Sequence, residues 1–321
     1  MESRDKQEDE QAMESMNKTQ QGERAESWPA LPFEAWRDTR ETLHLWTQIV
    51  GKVRMELSPP VNHWWHVALY VTPRGLTTSP IPYQGGTFAV YFDFIDHNLF
   101  VLTSDGTSKT LPLIPRSVAT FYREFMACLQ ALEIEVTINT RPCEIPSPIR
   151  CDEDEIHASY DPVYAHRFWR ILVQTETVLQ RYRSHFLGKS SPVHFFWGSF
   201  DLALTVFSGR RAPERQGADH ITQEAYSHEE TSCGFWPGDE RSPTPAFYSY
   251  TYPEPPGLGT ASIRPAAALY SQELGEFLLP YDDVRSASSP ELVLLEFFQM
   301  SYKAGATLGQ WDREALERRV Q

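Results

Sequence analysis

The chain has 321 residues, 41% apolar, 13% aromatic and 22% charged, which is globular material able to bury roughly three-quarters of its unfolded surface. Its 29 basic and 43 acidic residues leave a formal charge of -14, which disfavours sequence-independent binding to nucleic acid and adhesion to anionic lipid. The richest apolar runs, Val193 to Phe207 and Leu292 to Phe298, are interrupted by His194, Asp201 and Glu296, so no transmembrane span is expected.

Residues 1–27 carry eight acidic and four basic side chains and no aromatic, Leu, Ile or Val. Such a segment cannot repay its ordering entropy and holds no signal-peptide core, so it reads as a disordered acidic tail. Cys128, Cys143, Cys151 and Cys233 lie far apart without a C-x-x-C, which points to free thiols, a cytoplasmic setting and no cysteine-held zinc.

From Phe33 to Leu57, Trp36, Leu43, Trp46, Val50 and Val53 recur at helical steps, and Pro59-Pro60 end the helix they define. Strand chemistry follows over 62–71, 75–81, 87–95, 99–103 and 110–114, with Asp105-Gly106 as a hairpin turn, so an antiparallel meander is expected. A helix from about Pro115 and a short strand over 134–140 complete the first half. Asp161-Pro162, an N-cap followed by proline at the first helical position, opens a helix to about Phe186. Strands are then expected over 192–208, 226–235, 246–252 and 277–281, a polar loop over 209–223, and helices over 290–305 and 312–319. The fold class is α+β, mainly antiparallel, with helices packed on the sheet.

Trp36-Arg37 and Ser58-Pro59 recur as Trp169-Arg170 and Ser191-Pro192, and His63-Trp64-Trp65 is echoed by His194-Phe195-Phe196. These matches suggest an internal duplication, a single globular unit over 28–321 with similar halves of about 28–150 and 151–321. Any two helix-to-aromatic-strand transitions share such composition, which is the competing explanation.

Several signatures are excluded. Gly188-Lys189-Ser190 has Arg183 where a nucleotide loop needs glycine, Gly257-Leu258-Gly259 lacks a third glycine, His228-Glu229 is followed by Ser232 instead of a zincin histidine, and no G-x-S-x-G occurs. The most informative run is Ser191 to Ala203. A bulge at Gly198 would bring His194 and Asp201 to one strand face as a base with its orienting carboxylate, inside an aromatic wall. A buried histidine satisfied by a neighbouring carbonyl is the alternative.

His228 and Glu230 alternate onto one face. With His194 they would give two histidines and a carboxylate for a divalent metal cofactor, while His194, Asp201, His228 and Glu229 are the candidate catalytic groups. Against this stands a charged edge strand that merely blocks aggregation. Trp64, Trp65, His66 and Trp197 are candidate substrate-binding residues, and Arg210 and Arg211 would clamp a carboxylate or phosphate. His63 and His66 are expected on opposite strand faces, and His44 with Gln48 as a surface pair on the first helix. His157 to Pro162 caps a helix or forms a lid.

The segments P-P-V-N-H-W-W-H from Pro59, S-P-V-H-F-F-W-G-S-F-D-L-A from Ser191, F-S-G-R-R-A-P from Phe207 and A-Y-S-H-E from Ala225 resemble an uncharacterised, mainly bacterial family known as a domain of unknown function. The resemblance runs from Trp28 to about Arg319 and implies no reaction, cofactor or partner. The residues themselves point to a small-molecule enzyme with an aromatic-lined histidine and carboxylate site. A non-catalytic module enclosing a small ligand between Trp64, Trp65, Phe196 and Trp197, with structural histidines, is the alternative; neither nucleic acid nor membrane is expected as a partner.

Overall fold

Helix α1 (Phe33–Leu57) forms where the sequence places its apolar stripe, and its stripe is fully buried: Trp36, Leu43, Trp46, Ile49, Val50 and Val53 are each at most 1% exposed. The structure is a computed structural model that describes residues 27–318; the acidic tail expected before Trp28 lies, apart from Ser27, outside the described residues. At Trp28 the fold is anchored firmly. Its ring packs on Phe247 and Tyr281, and its indole N–H donates to Glu291 at 3.0 Å.

The first sheet is the expected meander. Its strands are β1 (Tyr70–Thr72), β2 (Gly75–Thr77), β3 (Ile81–Tyr83), β4 (Gly86–Asp93), β5 (Asn98–Thr103) and β6 (Ser108–Pro112), in the order β1-β2-β4-β5-β6 with β3 also on β4. Helix α2 (Val118–Gln130), capped by the Ser117 hydroxyl on Thr120 N–H, packs beside α1, where Trp46 stacks on Phe121 at 4.6 Å. The strand expected over 134–140 is absent among the described residues. Side chains take its backbone groups instead of a neighbouring strand: Tyr83 accepts from Glu135 N–H, and Lys52 donates to the carbonyls of Asn139 and Arg141.

In the second half, α3 (Pro162–Arg183) starts at the Asp161 cap as expected, its carboxylate accepting from Val163 and Tyr164 N–H. The single strand expected over 192–208 is a hairpin of β7 (His194–Phe196) and β8 (Asp201–Arg211), turning through Trp197 to Phe200. Part of the expected polar loop is a short helix, α4 (His220–Ala225). Then come β9 (His228–Trp236), β10 (Ala246–Tyr252), β11 (Leu269–Ser271), β12 (Glu276–Pro280), α5 (Tyr281–Arg285), α6 (Pro290–Leu308) and α7 (Arg313–Leu316). The second sheet runs β11-β12-β10-β9-β8-β7, all antiparallel.

The two sheets meet through an antiparallel bridge in which Leu69 and Phe195 exchange both backbone hydrogen bonds, at 2.9 and 2.8 Å. Helix α6 covers one face of the second sheet, with Gly305 against Thr251. The opposite face carries Asp201, Ala203, Thr205 and Phe207 of β8 and His228, Glu230 and Ser232 of β9, as the pairing Phe207 with Glu230 and Thr205 with Ser232 requires.

The expected strand over 62–71 is the largest local departure. Residues Asn62–Val67 form a 3₁₀ turn in which His63 and Trp64 have φ of 59° and 60°, and extended backbone resumes only at Ala68. Here the resemblance of His63-Trp64-Trp65 to His194-Phe195-Phe196 does not extend to backbone shape, since the latter is β7. The expected surface pair His44 and Gln48 is interior. Gln48 clasps Cys143 with its amide oxygen on the N–H and its amide nitrogen on the carbonyl, both at 2.9 Å, while the His44 ring N–H donates to Gly198 O at 2.9 Å.

Candidate functional site

The left-handed kink after Pro59-Pro60 carries the His63 ring under α4, where Nδ1 donates to Ala225 O at 2.8 Å. A carbonyl can only accept, so Nδ1 holds the proton and the neutral ring's Nε2 is an acceptor. It faces Lys189 Nζ at 2.7 Å. The same ammonium lies over the rings of Trp65 and Phe207, 5.2 and 4.8 Å from their centroids. His63 stacks on Trp65, packs on Phe207, and meets the His228 ring edge-on at 5.5 Å.

On β9, Glu230 follows His228 by two residues and lies directly across from Phe207 on one side and Tyr252 on the other. Burial pushes its carboxyl up to about 8, against the opposing pull of Lys189 and Arg215. Burial also lowers the pKa of Lys189, and Glu230 pulls the other way; His63 and His228 are lowered, chiefly by burial. Tyr226 and Tyr250 share a hydroxyl hydrogen bond of 3.0 Å beside Glu230, and Arg215 covers the rings of Tyr226 and Tyr252. The result is a lysine, two neutral histidines and a protonated carboxyl around an aromatic surface, reached from solvent past exposed Lys189 and half-buried Trp65 and His228.

The other expected site residues are distributed differently. His194 and Asp201 do share a sheet face, but through the hairpin register His194 with Ala203 and Phe196 with Asp201, and not through a bulge at Gly198. They do not work as a pair. Asp201 accepts from Ser199 Oγ at 2.5 Å and from the Tyr248 hydroxyl, whereas His194 stands among Trp65, Tyr70 and Phe196 with its pKa pressed to about 3, mainly by burial.

The metal set His194, His228 and Glu230 does not assemble, and among the described residues no group of three or more His, Cys, Asp and Glu side chains is placed to hold a metal ion. The ladder explains why. His194 pairs with Ala203, which pairs with Gly234, so His194 and Glu230 are two strands and four β9 residues apart, about 10 Å by about 13 Å.

Glu229 and Arg210 are also engaged elsewhere. Glu229 points away from Glu230, binds Arg210 at 2.6 Å and accepts from Ser208 Oγ, and Arg210 then holds the carbonyls of Gly309 and Gln310 at the end of α6. This network anchors a helix terminus, where cations are favoured. Arg211 pairs across from His228 at the rim and stays near the cluster.

Trp65 lines the cluster, but Trp197 is a core residue, 5% exposed, whose indole N–H donates to Val67 O at 2.7 Å. Trp64 lies between His66 and His220, and His66 Nδ1 accepts from Val61 N–H at 3.2 Å. His157 binds Asp154 at 2.7 Å and its carbonyl accepts from Val118 N–H at the start of α2, while Asp161 caps α3. His63, Lys189, Tyr226 and Tyr250 are the members that sequence reasoning missed; Lys189 drew notice only within the rejected Gly188-Lys189-Ser190 signature.

The architecture is α+β, two antiparallel sheets joined by the Leu69–Phe195 bridge, with the Lys189 cluster gathered on the β8–β9 face opposite α6. The chain belongs to the family of unknown function DUF5996, whose model matches residues 28–318. No curated protein and no solved structure matches it. No helix among the described residues is long and apolar enough to cross a membrane.

Proposed function

We propose that the protein is a small-molecule enzyme working by proton transfer at Lys189, His63, His228 and Glu230. The observation that carries this reading is the Lys189 ammonium held 2.7 Å from the free nitrogen of a neutral His63, on the sheet face where Glu230 stays protonated up to about pH 8. Glu230 is then the acid at neutral pH, and His63 the acceptor through which Lys189 gives up its proton. His228, half-buried, meets the His63 ring edge-on and hydrogen-bonds the Ser227 hydroxyl, which places a second neutral imidazole at the rim of the cluster. A cationic ligand is disfavoured because Lys189 already occupies the faces of Trp65 and Phe207. Four free cysteines and a charge of -14 suit a reducing, cytoplasmic setting without nucleic acid or membrane as partner.

The test is a mass-spectrometric screen of a defined panel of small carbonyl, ester and amine metabolites, run on the wild type, Glu230→Gln and Lys189→Met. At least one compound should be consumed by the wild type, with turnover reduced about 100-fold or more in each variant that retains its circular dichroism spectrum. Wild-type turnover should also decline above about pH 8, because the acid form of Glu230 is the one required. A panel member that binds stoichiometrically and is recovered unchanged would overturn the enzyme in favour of the binding module.

A further inference from the structure

Lys189 is held in place more firmly than a surface lysine requires. It precedes the Ser190–Val206 bridge, and its carbonyl accepts from Phe207 N–H at 3.0 Å, so its backbone forms one more rung on the edge of β8. The side chain runs over the Phe207 ring and ends 2.7 Å from His63 Nε2, with the Trp65 ring beside it. Glu230 flanks Phe207 from β9. Lys189 is nevertheless exposed, so a solute approaches it from the surface and no buried cavity is needed.

The other lysines among the described residues are placed differently. Lys52 is buried and donates to the carbonyls of Asn139 and Arg141, while Lys109 and Lys303 stand exposed. Among the described residues Lys189 alone of the lysines ends on an imidazole nitrogen, and no carboxylate makes a salt bridge to it. A neutral imidazole is a weak partner for a permanent cation and a good acceptor for a proton in transit. A lysine that is partly desolvated and set beside a base is the ordinary form of an amine nucleophile.

We propose that Lys189 is a nucleophile that forms an imine with an aldehyde or ketone substrate, with His63 as its proton carrier. This rests on the enzyme reading above and gives it a substrate class. The Lys189 ammonium passes a proton to His63 Nε2, and the freed amine adds to the carbonyl carbon as the π pair moves to oxygen. His63 returns the proton to that oxygen, giving a carbinolamine. A second nitrogen proton then travels through His63 to the hydroxyl, the C–O bond breaks to release water, and the C=N bond forms. Of the three ammonium protons, one stays on the iminium nitrogen and two leave in water, so the single positive charge is conserved. An ester does not fit the site, because the same attack expels an alcohol and leaves a stable amide that ends turnover after one cycle.

Reductive trapping of the full chain at pH 7 with sodium cyanoborohydride and either pyruvate or glycolaldehyde tests this, read by peptide mass mapping. Cyanoborohydride delivers hydride to the iminium carbon and fixes the adduct as a secondary amine. Lys189 should be labelled at least about tenfold faster than Lys109 and Lys303, which report unassisted imine formation in the same sample. His63→Asn removes the basic nitrogen, keeps a donor for Ala225 O and tolerates the left-handed backbone. It should slow labelling of Lys189 by about tenfold or more and leave Lys109 and Lys303 unchanged. The comparison among lysines of the wild type needs no variant, so it decides the matter even if His63→Asn fails to fold. Equal labelling of the three lysines by both probes would overturn the imine, while turnover of a metabolite in the panel above would then leave proton transfer standing. Selective labelling undiminished in His63→Asn would overturn the role of His63. Selective labelling with no panel compound consumed would support the nucleophile and overturn the enzyme.

Discussion

Below about pH 4.5 the protein is expected to lose stability steeply, with His44 and His194 each contributing about 1.4 kcal/mol per pH unit. Burial presses both rings to about 3 in the folded state, against 6.5 for the ordinary side chain. Between those values the unfolded chain holds a proton that the folded chain refuses, so unfolding takes up protons and acid drives it. This stability is fully present above pH 6.5 and is lost as pH falls toward 3. The slope is not uniform, because Glu230 works in the opposite sense. Its folded pKa of about 8 lies above the ordinary 4.5, so between pH 4.5 and 8 the folded state holds the extra proton and stability declines as pH rises. Half-buried Glu276, raised to about 7, adds a smaller effect of the same sign.

From pH 6.5 down to 4.5 the histidines and carboxyls therefore partly cancel, and below 4.5, where the carboxyls are protonated in both states, the histidines act unopposed. Urea midpoints of wild type, His194→Phe and Glu230→Gln across pH 3.5 to 8 separate these contributions. The His194→Phe variant should be less acid-sensitive by about 3 kcal/mol between pH 6.5 and 4 relative to its own value at pH 7. Glu230→Gln should reduce the decline toward pH 8 to the smaller part that Glu276 supplies below about pH 7, and steepen the loss below 6.5. Parallel curves for wild type and His194→Phe would show that His194 titrates normally and is not the dry, neutral ring described above.

The regular part of this fold was legible because each element carried its own local signal. Helix α3 begins at the Asp161-Pro162 cap, and β5 and β6 turn through Asp105-Gly106, both fixed by a few adjacent residues. The site was legible only where strand alternation sufficed. His228 and Glu230 share a face as two-residue spacing requires, whereas the opposite engagement of Glu229 depends on the distant end of α6. His63 was misplaced because an aromatic run with a β-branched residue reads as strand, while its left-handed backbone follows from the proline stop before it and from α4 above. Lys189 offered no signal at all. Its role comes from a contact with His63 across 126 positions of sequence, and no periodicity reports on such a pairing.

Trp197 shows how the same aromatic residue reads differently once its neighbours are known, and Gly51→Ala tests the difference. In an exposed helix this change would stabilise by about 1 kcal/mol, since alanine is the better helix former. Here a Cβ on Gly51, inside α1, would overlap the Trp197 indole. The ring cannot retreat, because it is 5% exposed and its N–H is tied to Val67 O at 2.7 Å. Gly51→Ala is therefore expected to destabilise by about 3 kcal/mol, and Trp197→Ala by about 4 kcal/mol through the cavity it leaves. The double variant should be better than their sum by about 1–3 kcal/mol, because the new methyl occupies part of that cavity. Denaturant midpoints of the four proteins give this coupling directly. If Trp197 instead formed the wall of a ligand recess, Gly51→Ala would be harmless and the two changes additive. Strong coupling would fix Trp197 as the wedge between α1 and the β7–β8 turn, leaving Trp65 as the tryptophan that contacts Lys189 and His63.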